Sequence, residues 1–379
     1  MVGAGIYVLI GTIAGEVGLW APVVFFAAAL VAAPTALVYS ALSSAIPESA
    51  GEAAYIRKVW RREWLAVLVG FAIVTVGTTS AATVLQGGIG YLQTFTTIPA
   101  PVLIIAVGLL LTGIAVAGVL ESLLLASLFT VIELVGLAII IWVGLSGPAS
   151  SPDWSTVARL PPLAAAGPAV LLAFFAFVGF EDMVNMAEEV RQPRRSLPIA
   201  ILTALVITSL LYGLVALAAV RSAALADLAA SSRPLVLVYE VRTGNPGRFL
   251  AAISVAAALN GVLAQLIMAA RILYGLGRDN PALASFHHTH PRFQTPHRAT
   301  ALVGLATVLM ALLVPMEGLA ELTSIILLTV FAAMNLTMIR LHRVGGGIHE
   351  GFPVPTWVAW MGLIAVFLTL VVSLAGLTA

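Results

Sequence analysis

The chain has 379 residues, of which 61% are hydrophobic and 9% are charged, whereas ordinary soluble domains carry about 25% charged residues. This composition excludes an ordinary soluble protein and indicates an integral membrane protein. The absence of cysteine excludes disulfides, thiolate metal sites and thiol nucleophiles, and a net charge of +1 gives no indication of a nucleic-acid partner.

Apolar runs of about 20 residues recur along the chain, which is the length that an α-helix needs to cross the hydrocarbon core. They lack the alternating pattern of a membrane β-barrel, so the chain is predicted to be all-α. Turn residues and charges divide the runs into eleven predicted spans, at residues 1–16, 22–46, 64–97, 101–118, 123–146, 165–188, 197–220, 247–276, 299–315, 318–340 and 355–376.

Basic residues orient the predicted spans. Most of them fall in alternate connections, such as Arg57 and Lys58 after the second span and Arg194 and Arg195 after the sixth. Connections rich in Lys and Arg are cytoplasmic. We therefore expect a multi-pass protein of the cell (plasma) membrane with a cytoplasmic N-terminus.

Glycines interrupt two of the predicted helices. Gly3-Ala4-Gly5 lies in the first and Val178-Gly179-Phe180 in the sixth, each followed by about four further spans. Paired interruptions predict an inverted five-helix repeat whose discontinuous helices 1 and 6 form a site at the membrane midplane. The alternative is that these glycines only let neighbouring helices pack closely.

The inverted repeat also predicts the domain organisation. Repeat one covers residues 1–146, repeat two covers 165–341, and an extra helix follows at 355–376, all within one transporter domain of residues 1–379.

Two carboxylates, Glu181 and Asp182, follow the apolar part of the sixth span. A charge at membrane depth costs about 2.5 to 3.5 kcal/mol on an exposed helix, so a bundle interior or wet cavity must receive them. Glu181 is predicted to be a gate or proton-responsive group; the alternative is a structural carboxylate capped by neighbouring backbone or a hydroxyl. Because adjacent residues point to different faces of a helix, the two make a poor catalytic pair, and no enzyme is expected.

Three histidines superficially suggest a metal site. His287, His288 and His290 lie near Asp279, but their spacing gives no helical two-ligand register and no cysteine accompanies them. The chain has no nucleotide-binding loop of the G-x-x-x-x-G-K-[ST] type. We expect neither a metal nor another cofactor.

These motifs resemble the amino acid permeases of the amino acid–polyamine–organocation (APC) superfamily. The first segment, VGAGIY, is similar to the glycine-rich first-helix motif of that family, and residues 174–198 are similar to its sixth helix and following loop. Residues 260–281 and 286–296 resemble its eighth helix and the connection after it. The resemblance implies a LeuT-like fold with alternating access. Family members usually have a half-helix before the glycine motif, so a natural start upstream of Met1 stays open.

The resemblance also implies a substrate site built from backbone between helices 1 and 6. A substrate carboxylate would meet N–H groups at the start of a half-helix, and carbonyls would hold the ammonium. The substrate-binding residues expected on these two helices are Met1, Gly3, Ala4, Gly5, Phe175, Val178 and Gly179.

Other side chains complete the expected site. Phe175 matches an aromatic gate of the family; the alternative is that it is a core or lipid-facing ring like its neighbours. Thr79 and Ser80 are expected near the substrate side chain, with interhelical hydrogen bonding as the alternative. Glu133, in the fifth span, is a proton carrier, an ion ligand or a structural hydrogen-bonding partner, and the sequence leaves these three roles open.

The predicted function is secondary active transport of amino acids across the cell membrane. Two alternatives are a transport-inactive sensor or partner subunit that keeps the permease fold, and a polyamine or organic cation exchanger. The expected partners are an amino acid or related amine, a coupling proton or sodium ion, and the lipid bilayer; a homodimer stays open.

Overall fold

The computed structural model describes residues 4–48, 51–118, 123–146, 160–343 and 351–377. Within these residues the protein consists of α-helices and short 3-10 helical segments, without a β-strand. The α-helices are α1 (Ala4–Val17), α2 (Ala21–Ala45), α3 (Gly51–Trp60), α4 (Glu63–Leu92), α5 (Ala100–Ala117), α6 (Leu123–Leu145), α7 (Leu163–Phe175), α8 (Pro193–Ser222), α9 (Leu225–Ala230), α10 (Pro234–Thr243), α11 (Arg248–Asp279), α12 (His297–Leu313), α13 (Met316–Arg343) and α14 (Thr356–Leu377).

Helices occupy all eleven stretches that were predicted as spans. Eight helical segments of the described chain are long and apolar enough to cross a membrane, and the first of them, Gly5–Ala45, joins α1 and α2. By contrast α7 and α12 are shorter apolar helices of 13 and 17 residues. The all-α membrane class is confirmed, whereas the count of eleven crossings stays a prediction.

The connections contain helices that the sequence did not predict. No helix was predicted between the seventh and eighth spans, but this stretch contains α9 and α10. Apolar side chains of both helices are buried, including Leu228, Leu235 and Val236. Burial against the bundle therefore gives this connection its helical structure. The short helix α3 was likewise missed.

The sixth predicted helix is broken. Helix α7 ends at Phe175, a turn covers residues 176–180, and a 3-10 helix follows at Glu181–Glu189; we call this helix the 3-10 segment. Gly179 has a φ of 118°, which side chains with a Cβ rarely adopt. A 3-10 run of 9 residues is also unusually long, and such stretches often mark functional hinges.

The first predicted interruption lies at the edge of the described residues. Helix α1 begins at Ala4, and Met1 and Gly3 lie outside the described part. The pairing of two interrupted helices, and the inverted repeat that it implies, therefore stay predictions.

Helices of the two halves pack against each other in matching order. Helix α1 contacts α7, α2 contacts α8, α4 contacts α11, and α5 contacts α12. These pairs are the first with the sixth predicted span, the second with the seventh, the third with the eighth and the fourth with the ninth. This order places α1 and the break after α7 next to each other.

Candidate functional site

The start of α1 lies directly against the break after α7. A methyl group built on Gly5 would stand 2.9 Å from the Cα of Ala176 and 3.6 Å from Cδ1 of the Phe175 ring. Since real Cβ atoms essentially never come within 3.0 Å of such an atom, Gly5 is required for this close approach. The contact joins predicted site residues of helix 1 to those of helix 6.

Ala4 and Gly5 are the first described residues of α1. Where a helix begins, its first four N–H groups have no acceptor within the helix, and the helix dipole adds partial positive charge. A helix that begins at the predicted glycine-rich interruption would therefore offer donors for an anionic group, such as a carboxylate, at this contact.

The backbone of the break is partly engaged already. The N–H of Val178 donates to the carbonyl of Phe175 at 3.1 Å, and similar bonds join Phe177 to Phe174 and Ala176 to Ala173. These bonds join residues three positions apart, as in a 3-10 helix, instead of four positions apart, as in an α-helix. The chain after α7 is therefore wound more tightly than an α-helix. A carbonyl oxygen has two lone pairs, so the Phe175 carbonyl retains capacity for one further donor.

Glu181 caps the break with one carboxyl oxygen. Its Oε2 accepts the N–H of Gly179 at 3.0 Å, which corresponds to the structural alternative foreseen for this residue. Its Oε1 has no hydrogen-bond partner in the described structure, although the side chain is only 1% exposed. A buried acceptor without a donor costs about 1 to 3 kcal/mol, so capping alone does not account for a carboxylate here.

Asp182 turns to a different element. Its Oδ2 accepts a hydrogen bond from Nε2 of Gln265 on α11 at 2.9 Å. The two adjacent carboxylates thus have separate partners: Glu181 contacts the break and Asp182 contacts α11. This separation fits the expectation that they do not form a catalytic pair.

Phe175 differs from the neighbouring phenylalanines in what it contacts. The rings of Phe174 and Phe180 pack on Phe331 with centroids 5.6 Å and 5.2 Å apart, and Phe177 packs on Tyr212 at 5.4 Å. The Phe175 ring lies at Gly5 instead. Of the four rings, Phe175 is therefore the one placed against the start of α1.

Glu133 on α6 is buried without a hydrogen bond to its carboxyl group. It is 2% exposed, and neither carboxyl oxygen has a partner within the described residues. Asn260 of α11 lies within interaction range of the carboxyl but does not meet hydrogen-bond geometry. The carboxyl group thus has no hydrogen bond among the described residues, and its role as proton carrier, ion ligand or structural partner stays a prediction.

Two tyrosines that were not predicted as site residues connect α1 to its neighbours. The hydroxyl of Tyr7 donates to the backbone carbonyl of Glu133 at 2.9 Å, and the hydroxyl of Tyr91 donates to the carbonyl of Tyr7 at 2.6 Å. These bonds hold α1 between α4 and α6. A tyrosine inside an apolar helix is the signal that could have found them, because a buried hydroxyl usually finds a partner.

Thr79 forms the interhelical hydrogen bond that was the alternative to a substrate contact. The hydroxyl oxygens of Thr79 and Thr323 on α13 are 2.6 Å apart, and the Thr79 hydroxyl also donates to the carbonyl of Thr75 at 2.9 Å. Ser80 is 4% exposed. The Thr79 hydroxyl is thus engaged between helices α4 and α13.

Comparison with known proteins gives a family for the whole chain. A family model described as "Amino acid permease" matches residues 1–378. The chain is 25% identical to the branched-chain amino acid permease BcaP of Bacillus subtilis, over 100% of this chain and 86% of that protein. It is 30% identical to the vacuolar cationic amino acid transporter 4 of Arabidopsis thaliana, over 90% of this chain and 61% of that protein.

A further relative is named for a different substrate. The chain is 26% identical to the methylthioribose transporter of Bacillus subtilis, over 94% of this chain and 81% of that protein. All three relatives are named as permeases or transporters and none as an enzyme. With a family model that spans nearly every residue, the chain belongs to the amino acid permease family of the APC superfamily and is a transporter.

Proposed function

We propose that this permease is a secondary active transporter that moves amino acids by alternating access, with the substrate bound between α1 and the break after α7. The observation that carries the proposal is the contact of Gly5, at the N-terminus of α1, with Phe175 and Ala176. Backbone donors on one side and a broken helix on the other suit a zwitterion, because both charged groups can be held by peptide groups.

The pairing of the two halves supports alternating access. Four helices of the first half each contact their counterpart in the second half, as expected for an inverted repeat in which one bundle rocks against the other. The turn at residues 176–180 and the 3-10 segment give the sixth helix a hinge. Phe175 is placed to cover a substrate at this point and to act as the gate.

The substrate class is proposed from the site and from the names of the relatives. A neutral amino acid needs only the backbone groups described above, and one relative is named for branched-chain amino acids. Another relative is named for methylthioribose, so the substrate of this chain must be identified by measurement.

A cationic amino acid is the second candidate. Glu16, near the end of α1, lies within electrostatic range of Glu317 and Glu321 on α13, and the Thr12 hydroxyl is 3.5 Å from the Glu317 carboxylate. Negative charge at the protein surface raises the local concentration of cations. A relative named as a cationic amino acid transporter is 30% identical, which is consistent with this reading.

Coupling to a proton or to sodium is proposed from the buried carboxylates. Glu181 and Glu133 each have at least one carboxyl oxygen without a hydrogen-bond partner in the described part, and both are almost fully buried. Ionisable groups buried in a membrane bundle mark ion and proton pathways. We place the protein in the cell membrane with a cytoplasmic N-terminus, because the alternate basic connections favour that orientation.

A counterflow assay tests the proposed function. The purified protein is reconstituted in liposomes loaded with each unlabelled amino acid or polyamine of a panel, and uptake of the labelled compound is followed without an ion gradient. We expect exchange of at least one amino acid. Exchange of polyamines alone would favour the organic cation alternative. Binding without exchange would favour the sensor alternative, and neither binding nor exchange across the panel would refute amino acid transport.

A further inference from the structure

A glutamate outside the membrane-spanning helices is buried against the broken sixth helix. Glu52 lies in the first turn of α3, which connects α2 to α4, and its side chain is 2% exposed. The first six residues of α3 are buried, whereas Arg57 and Lys58 lie in its last turn. Burial of an unpaired carboxylate is costly, so the surroundings of Glu52 must supply compensating contacts.

One such contact comes from α2. The Tyr39 hydroxyl donates a hydrogen bond to Oε1 of Glu52 at 3.0 Å. The ring of Tyr39 also packs on Phe180 in the break, with centroids 5.8 Å apart. Tyr39 therefore joins Glu52 to the residues that interrupt the sixth helix.

The 3-10 segment provides the other side of this pocket. Gly51 has a φ of 45°, and a side chain there would collide with the side-chain oxygen of Asn185. Asp182 and Asn185 both lie within interaction range of the Glu52 carboxyl, and Glu181 lies within electrostatic range of it. Three carboxyl groups thus share one buried region between α3 and the 3-10 segment.

The charged groups of the other neighbouring helices contact the far end of α3. Glu63 of α4 pairs with Arg57 at 2.8 Å, and the guanidinium of Arg340 from α13 lies 4.6 Å from the Trp60 ring centroid. On α3 itself, the buried hydroxyl of Tyr55 has no hydrogen-bond partner in the described structure and lies within electrostatic range of Glu52. The groups that face Glu52 are therefore hydroxyls, an amide and carboxyls.

This environment favours the protonated form of Glu52. Burial, with a smaller contribution from Asp182, raises the pKa of Glu52 from 4.5 to about 7, and the hydrogen bond from Tyr39 acts in the opposite direction. Like charges in one site disfavour ionisation in the same way. A carboxyl group with this pKa gains and loses its proton near neutral pH.

We propose that Glu52 is a proton-binding residue of the transport cycle and that its proton holds α3 docked against the 3-10 segment. Loss of the proton adds a negative charge on Glu52 beside the carboxyl groups of Asp182 and Glu181, and repulsion separates α3 from the broken helix. Protonation allows the two to pack again. The role in transport rests on the proposed function, whereas the titration and the docking can be measured without any substrate.

Substitution of Glu52 by Gln tests the titration. Gln keeps the shape and still accepts the Tyr39 hydrogen bond, but it cannot ionise. Glu48→Gln is the matched control, because Glu48 is exposed near the same helix and lies 3.8 Å from Nζ of Lys58. Infrared titration of the purified protein is expected to lose one carboxyl group that titrates near pH 7 in Glu52→Gln only. An unchanged titration in Glu52→Gln overturns the proposal.

Tyr39→Phe provides a second test if Glu52→Gln does not fold. Removing the hydrogen bond that favours the ionised form moves the titration of Glu52 to higher pH, whereas a shift to lower pH or no shift contradicts the proposal. In liposomes, Glu52→Gln is expected to keep counterflow exchange but to lose accumulation driven by a pH gradient.

The outcomes separate the two proposals. If the wild-type protein does not transport but Glu52→Gln loses the carboxyl titration, the proposed function is refuted. The assignment of the titration to Glu52 then still stands. Full pH-driven accumulation in Glu52→Gln refutes the coupling role while the transport function stands.

Discussion

Replacement of Glu181 by Ala and by Gln separates its capping role from its ionisation. Glu181→Ala removes the acceptor of the Gly179 N–H, which then lies in a partly buried break without a partner from this side chain. A donor left unsatisfied costs about 1 to 3 kcal/mol. Glu181→Gln keeps an oxygen that can accept the same N–H and removes only the ability to ionise. We therefore expect Glu181→Ala to lose about 1 to 3 kcal/mol of stability and Glu181→Gln to stay near the wild-type value.

Stability is measured as the unfolding midpoint of the purified protein in one detergent at one pH, for the wild type and both variants. The same proteins are then compared for pH dependence of uptake. A gate or proton-responsive carboxyl predicts that Glu181→Gln folds normally but responds differently to pH. If Glu181→Ala is as stable as Glu181→Gln, the capping bond contributes nothing measurable and our reasoning on the break is wrong.

Three further predictions follow from hydrogen bonds and burial. Thr79→Val loses the hydrogen bond to Thr323 and is expected to lose about 0.5 to 1.5 kcal/mol of stability, whereas Thr79→Ser keeps the bond and the stability. Substrate affinity, measured in a binding assay, is expected to change little in either variant. Tyr7→Phe loses the bond to the Glu133 carbonyl, and a similar loss of stability is expected, measured as a lower thermal midpoint. The Glu52 pKa, raised from 4.5 to about 7, means that the folded state holds this proton more tightly than the unfolded state. Its contribution is complete below pH 4.5 and is lost as pH rises to about 7. Stability is therefore expected to fall by about 3 kcal/mol more over that range in wild type than in Glu52→Gln.

The positions of the helices could be predicted because span length and charge are properties of local sequence. The break after Phe175 could be predicted for the same reason, since Gly179 and the following Glu181 and Asp182 interrupt an apolar run. Apolar length does not distinguish a complete crossing from a half-helix, and for this reason the number of crossings does not follow from the pattern.

Contacts between distant helices could not be predicted. Glu52 was missed because it stands in a polar connection beside Arg57 and Lys58, where a glutamate normally faces solvent. In the folded protein Glu52 is buried against Tyr39 and Asn185. These two residues are 13 and 133 positions away from Glu52 in the chain. Such contacts have no signature in local composition.

For the site residues as well, the helix could be predicted from the sequence but the side-chain contacts could not. Thr79 could be assigned to the right helix, but the choice between substrate contact and interhelical bond depends on the distance to Thr323. Phe175 could not be separated from Phe174 and Phe177 by its residue type. Its position against Gly5 distinguishes it, and that position depends on how α1 packs on α7.

Substrate binding to Gly5→Val and Gly113→Val tests the central claim most directly. A side chain on Gly5 would collide with the backbone of Ala176, whereas a methyl group on Gly113 in α5 meets nothing within 4 Å. Overpacking costs about 1 to 3 kcal/mol of stability, and this cost is relieved when α1 moves away from the break. A substrate held by both elements needs their close approach, so binding loses at most this energy, and about 1.4 kcal/mol is a tenfold change in affinity. We therefore predict amino acid binding that is weaker by up to about 100-fold for Gly5→Val and unchanged for Gly113→Val. Equal affinities in the two variants would contradict a substrate site between α1 and the broken sixth helix.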